Sequence, residues 1–196
     1  MRNTFDKAYY DRYYRNPQTR VFTPAVARRQ AAFIASYLKH LEIPITNILD
    51  IGCGVGTVLK TLGKEFPRAQ TRGVEHSEYL CRRYGWVAGS VVDYRSDHPY
   101  DLVVCNDVLG YLNDKVCTKA LANLAELSAS VLFLGVLTRE DYEICDQNRT
   151  DPQHWMRSAA WYRRRLTRHF VNVGGGLFLK KPLHVTVWHL DRIGNL

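Results

Sequence analysis

The 196 residues carry a formal charge of +8 and 46% hydrophobic residues, which suits one domain with a core large enough to need no covalent staples. The five cysteines (Cys53, Cys81, Cys105, Cys117, Cys145) form no Cys-x-x-Cys pair, arguing against a disulfide framework or zinc knuckle and for reduced thiols in the cytoplasm. The opening MRNTFDKAYYDRYY lacks the apolar core of a signal peptide, and no stretch approaches the roughly 20 apolar residues of a membrane span, so a soluble protein without membrane contact is expected.

In chain order, residues 1–22 are polar, aromatic and basic, with Tyr9 paired to Tyr13 and Tyr10 to Tyr14 along one helix face. Two readings stay open for this cluster: an aromatic face packed on the domain, or a flap over a ligand. Thr23-Pro24 reads as an N-cap followed by proline at the first helical position, starting a helix to about His40. NILDIG is the first strand, and Val58, Leu59 and Leu62 then recur at helical spacing up to Pro67. TRGVEH (71–76) is a second strand, with Ser77 placed to cap a short helix to about Tyr84. WVAGSVVDY contains a third strand, YDLVVCN (100–106) is a fourth, and Asp114 is placed to cap a helix carrying Val116, Leu121, Leu124 and Leu127. SVLFLGVL (130–137) is a fifth strand.

Residues 138–153 are polar and unpatterned, long enough for a functional loop. Trp155, Ala159, Tyr162 and Leu166 form a helix stripe, with Arg157, Arg163, Arg164, Arg165 and Arg168 largely off it; the tryptophans are read as core and the arginine run 163–165 as a solvated face. The tail suggests two strands, HFVNV and LHVTVWHLD, around GGGLFLKKP, with His184 and His189 on opposite faces and so no metal pair. Near-continuous apolar strands alternating with amphipathic helices indicate an α/β fold: a doubly wound, mostly parallel sheet of seven strands ending in an antiparallel hairpin, with helices on both faces.

ILDIGCGVGTVL (48–59) carries the chemistry. Gly52 and Gly54 fit the dinucleotide fingerprint, but its third position is Thr57, and no Gly-Lys-Ser/Thr follows as in a P-loop. Asp50 ends the strand, where a carboxylate about 4 Å from a pyrophosphate oxygen would be repelled by roughly 4 kcal/mol at an effective dielectric near 20. The same carboxylate favours a ligand carrying an ammonium or sulfonium charge. Glu75 ends the second strand, where an acid can accept the hydroxyls of a ribose.

In that order and spacing, ILDIGCGVGTVL, GVEHSEYL, GSVVDY and YDLVVCNDVLGYL resemble the successive motifs of class I S-adenosylmethionine-dependent methyltransferases. The resemblance runs from about residue 45 to 137 and implies a Rossmann-like methyltransferase domain over 45–196, preceded by a helical, aromatic cap over 1–44, with 138–168 as a substrate cover. It implies that Gly52, Cys53, Gly54 and Gly56 line the methionine moiety of S-adenosylmethionine, with Asp50 behind them, and that S-adenosylhomocysteine is the product. Glu75 would hold the ribose, His76 would lie beside the adenine, and Val91 would offer it a backbone N–H. The family's third-motif acid is replaced by Ser90; either Ser90 makes a weaker contact or Asp93 takes the task. Cys105 and Asn106 end the fourth strand, where backbone carbonyls meet the methionine amino group, and Tyr10 and Tyr14 would belong to the flap over the cofactor.

Methyl transfer is an in-line displacement that needs a base only if the acceptor must lose a proton. Asp107, Tyr111 and His154 are the candidates beside the acceptor; no metal is expected. A small-molecule methyltransferase is the leading reading. The alternatives are an RNA or protein methyltransferase, motivated by the +8 charge and the arginine-rich helix, and a non-catalytic S-adenosylmethionine-binding module.

Overall fold

The computed structural model describes residues 5–16, 18, 22–147, 150–151 and 153–187. Seven strands form one sheet in the order β3-β2-β1-β4-β5-β7-β6, where β1 is Asn47–Ile51, β2 Gln70–Glu75, β3 Val87–Ala88, β4 Tyr100–Asn106, β5 Ser128–Gly135, β6 Phe170–Gly174 and β7 Leu177–Lys180. Strands β1 to β5 run parallel, and β7 is antiparallel to both β5 and β6. The strand order reverses between β1 and β4, the place where an open parallel sheet leaves a crevice at its carboxyl edge.

Strand alternation divides the core. Leu49, Val103 and Leu132 face one layer, closed by α5 (Asp114–Leu127) and α7 (Ala159–Leu166). Ile48, Leu102 and Val131 face the other, closed by α2 (Pro24–His40) and α3 (Thr57–Glu65). α2 starts as its sequence predicts: Thr23 accepts the Val26 N–H at 3.2 Å and Pro24 follows. Its Ala27, Ala31, Ile34, Ala35 and Leu38 stripe is buried against α3 and the sheet. Before it come α1 (Lys7–Tyr10) and a single wider π-type turn over Asp11–Arg15. α4 (Glu78–Tyr84) follows β2, and α6 (Arg139–Tyr142) is a short helix within the polar stretch after β5, closed at its start by reciprocal Thr138 and Asp141 hydrogen bonds.

Several expectations are corrected. The last hairpin is made by FVNVG and LFLK, not by the later LHVTVWHLD: Gly174, Gly175 and Gly176 all have positive φ and turn the chain back at once, so Phe178 and Leu179 reach β5. Residues 183–187 form no strand, so His184 has no strand face, and His189 lies outside the described residues. The cap of α5 is Asn113, which accepts the Val116 N–H at 3.0 Å; Asp114 is the first helical residue and pairs with Arg157 instead. Ser77 precedes α4 but makes no side-chain cap there, because its hydroxyl donates to the Phe5 carbonyl at 2.6 Å. Trp155 lies outside α7 and is 56% exposed, so it is not core.

Candidate active site

The turn after β1 is held tightly. The Gly52 and Cys53 N–H groups both donate to the Val74 carbonyl, at 2.8 and 3.1 Å, and the Gly56 N–H donates to the Cys53 carbonyl at 2.8 Å. The three glycines leave space for different things. A Cβ on Gly52 would meet Val108 at 2.2 Å and one on Gly56 would meet the Trp86 ring at 2.3 Å, whereas Gly54 (φ +55°) faces nothing within 4 Å. Trp86 reaches across the turn and donates its indole N–H to the Gly54 carbonyl at 2.9 Å. The outer two glycines therefore admit the protein's own side chains, and Gly54 alone presents bare backbone to open space.

Beneath the turn sits Asp50, 3% exposed. Burial, reinforced by the nearby Glu75 charge and opposed by a hydrogen bond from the Leu59 backbone, raises its carboxyl to about 7. None of those influences is a cation. Glu75 accepts N–H groups from Gly54 (2.8 Å), His76 (2.8 Å) and Ser77 (2.9 Å). Three of the roughly four acceptor positions of a carboxylate are thus filled by backbone. His76 is exposed beside it, and Val91 is buried. The two alternatives for the third motif turn out to be one unit: the Ser90 hydroxyl donates to Asp93 at 2.9 Å while accepting the Val92 and Asp93 N–H groups. At the end of β4, Cys105 is fully buried, and the Asn106 carboxamide oxygen accepts from Gln30 at 3.1 Å.

Two cavities open at this edge. The smaller, of about 60 Å³, lies against Asp50, Gly52, Gly54 and Thr57. The larger, of about 480 Å³, lies beyond it, among Asp107, Tyr111, Asp151 and His154. Tyr14, Phe22 and Asn106 line both, so the cavities adjoin. The N-terminal aromatic segment spans them. Its Tyr10 ring is buried within range of the Glu75 charge, and its Tyr9 hydroxyl lies 2.7 Å from the Tyr111 hydroxyl. The rings pair as the sequence spacing predicts, Tyr9 with Tyr13 at 4.9 Å and Tyr10 with Tyr14 at 5.2 Å between centroids.

Asp107 stands at φ +56°, a left-handed conformation that an aspartate tolerates but that still costs free energy. Its side chain is 47% exposed, open to the larger cavity. Enclosure by the surrounding protein pushes its carboxyl upward, the His154 charge opposes this and Asp151 adds to it. The His154 side chain is 6% exposed, with its Nε2 4.0 Å from Asp107 Oδ1. Neither of its ring nitrogens has a hydrogen-bond partner among the described residues. Tyr111 meets that ring edge-on at 4.5 Å and donates to Asp151 at 3.3 Å.

Residues 49–130 match a family model described as a methyltransferase domain. That stretch of the chain is similar to a methyltransferase domain. Among curated relatives, the ubiquinone biosynthesis O-methyltransferase of Nitrosospira multiformis is 27% identical over 109 residues, covering 48% of this chain and 45% of that protein. The chain spans less than half the length of the curated relatives it matches. Among solved structures, magnesium protoporphyrin IX methyltransferase from Synechocystis PCC 6803, with S-adenosylmethionine bound, superposes with a TM-score of 0.63 at 17% identity, over 91% of this chain and 94% of that one. DesVI of Streptomyces venezuelae superposes with a TM-score of 0.60 at 20% identity, over 80% and 92%. The fold is that of class I methyltransferases.

At the carboxyl edge of this fold, Asp50, Gly54 and Glu75 gather at one cavity and Asp107, Tyr111 and His154 at the other. Nothing in the sequence pattern set Arg157 apart from the other arginines, yet it is 4% exposed and anchors the segment bearing His154. It donates to Asp114 at 2.8 Å, to the Leu109 carbonyl at 3.2 Å and to the Leu112 carbonyl. The Trp155 N–H adds a bond to the Gly110 carbonyl at 2.7 Å. Trp86 was also missed as a part of the glycine turn; its only signal was a tryptophan just ahead of β3. Among the described residues no cluster of three or more His, Cys, Asp or Glu is arranged to hold a metal, and no helix is long and apolar enough to cross a membrane.

Proposed function

We propose that the chain is an S-adenosylmethionine-dependent methyltransferase that transfers the methyl group to a small molecule. The observation that carries this reading is a buried, cation-free carboxylate, Asp50, beneath the open backbone of Gly54 and beside Glu75, with a 480 Å³ cavity adjoining. A sulfonium or ammonium charge would supply the partner that Asp50 lacks. In this reading Gly54, with Gly52 and Cys53, borders the methionine moiety, and the Asn106 and Cys105 carbonyls meet its amino group. Glu75 takes a ribose hydroxyl at its remaining acceptor position, and the second hydroxyl requires the Gly54 N–H to exchange away. His76, Val91 and the Ser90–Asp93 pair border the adenine.

The smaller cavity is well below the roughly 300–1,000 Å³ of ordinary ligand sites, so Tyr10 and Tyr14 must withdraw for a nucleoside to enter. The cofactor supplies the activated methyl group. The chain's own contribution is to hold the two ligands in line, which accounts for as much as ~7–11 kcal/mol of barrier, and to keep water out. Residues 138–168 serve as the acceptor's cover.

Calorimetric titration with S-adenosylhomocysteine tests the assignment. Tight binding is expected, and Glu75→Ala should weaken it about tenfold, equivalent to ~1.4 kcal/mol. Heatless titration of a folded protein would end the reading.

A further inference from the structure

The larger cavity narrows the acceptor's chemistry, an inference that rests on the methyltransferase reading. Although the chain carries +8, this cavity is acidic: Asp107, Asp141, Asp146 and Asp151 line it, and no lysine or arginine does among the described residues. Asp141 is committed to capping α6, where the Thr138 hydroxyl donates to it at 2.6 Å. Asp151 accepts from Tyr111 and from the Gln153 N–H. Asp107 faces His154 at 4.0 Å, beyond hydrogen-bond reach.

The second, independent observation is His154 itself. A side chain 94% buried whose two ring nitrogens are unpartnered among the described residues costs about 1–3 kcal/mol for each unsatisfied group. Its ring lines the cavity, so a ligand polar group that reached either nitrogen would remove that cost. Four tyrosine rings (Tyr9, Tyr13, Tyr14, Tyr111) share the wall, and the negative faces of such rings attract cations. A ligand carboxylate about 4 Å from Asp107 would meet roughly 4 kcal/mol of repulsion at an effective dielectric near 20. The carboxylates are also not grouped for a metal ion among the described residues. An organic cation fits these walls.

We propose that the methyl acceptor is an amine-bearing small molecule, bound as its ammonium with the nitrogen between Asp107 and His154 and the tyrosine rings around its substituents. A nitrogen roughly 2.8 Å from each partner spans their 4.0 Å separation. The ammonium donates one N–H to Asp107 and gives the proton of another to His154. The freed lone pair then forms the new C–N bond as the C–S bond of the sulfonium breaks, its electron pair remaining on sulfur. The products are the N-methylammonium and S-adenosylhomocysteine, and His154 passes its proton to solvent.

The test uses the full chain saturated with S-adenosylhomocysteine and three probes of one shape: benzylamine, benzyl alcohol and benzoate. Benzylammonium is expected to bind about tenfold more tightly than the alcohol at pH 7, with benzoate excluded. Asp107→Asn, which keeps the side-chain shape and tolerates the left-handed backbone, should abolish the preference while leaving S-adenosylhomocysteine affinity unchanged. Equal or better binding of alcohol or benzoate, or no binding of benzylammonium to the loaded protein, overturns the proposal. Failure of S-adenosylhomocysteine to bind would instead overturn the methyltransferase reading beneath it. For any amine that accepts label, His154→Gln should lower turnover at neutral pH and regain it as pH rises toward the amine's own pKa. A uniform loss at every pH would remove the proton transfer from the proposal.

Discussion

Asp50 links burial to ligand choice at the scale of one side chain. Its carboxyl rests at about 7 in the folded chain against 3.8 ordinarily, so between about pH 4 and 7 the folded state binds more protons than the unfolded one. Stability without ligand should therefore fall as pH rises through that window and level off above it. A cationic ligand favours the ionised form, so its affinity should rise across the same interval, with a proton released on binding below pH 7. Calorimetry at pH 6 and pH 8 should show this gain for S-adenosylmethionine. Asp50→Asn should flatten the dependence and weaken binding, while making the empty protein more stable at pH 8. Asp107 also sits above its usual range, so the difference between wild type and variant isolates Asp50. Asp50, Gly54 and Glu75 were legible in the sequence because a strand, a turn and a strand end place them by local rules. Val108 and Trp86 were not, because which side chain packs over Gly52 and Gly56 depends on neighbours 30 to 56 residues away in the chain.

Among the elements, the segment carrying His154 hangs on Arg157. Its guanidinium joins Asp114 at the start of α5 to the Leu109 and Leu112 carbonyls and the Tyr162 hydroxyl, and it packs 4.9 Å from the Trp161 ring centroid. Arg157→Met keeps the stem but leaves the buried carbonyls unpaired, and should cost about 3 kcal/mol, read as a shift in the urea midpoint. Arg157→Lys should recover only part of it, because an ammonium cannot present the same planar set of donors. The sequence suggested a solvated arginine face over 163–165, and that holds for Arg163 and Arg164, which are exposed, but not for Arg165, stacked 3.5 Å over Trp161. Periodicity distinguishes faces of a helix, yet Arg157 precedes α7 and has no face to be read from. Strands β1, β4 and β5 and helices α3 and α5 were legible because each carries a run or a repeat of apolar residues. The final hairpin was misplaced because LFLK is only four residues long, and three successive glycines obscure where the turn ends.

For the whole molecule, charge is divided between outside and inside. A chain of net +8 holds a cavity lined by four aspartates, so the net charge does not describe the cavity. Any RNA affinity should be of the exterior, sequence-independent kind and should fall steeply between 50 and 200 mM salt. Binding of S-adenosylhomocysteine, shielded within the protein, should change little over that range. A salt-resistant RNA complex that blocks the cavity would restore the RNA methyltransferase alternative; filter binding alongside calorimetry separates the two.

The N-terminal segment, finally, touches both halves of the site: the Phe5 carbonyl accepts from Ser77 beside Glu75, and Tyr9 meets Tyr111 beside the other cavity. Tyr14 lines both spaces. One strip of chain thus rests on two adjoining chambers. On the proposed function, an excursion of this strip that freed a spent nucleoside would also unseal the neighbouring chamber, tying the departure of both ligands to a single door.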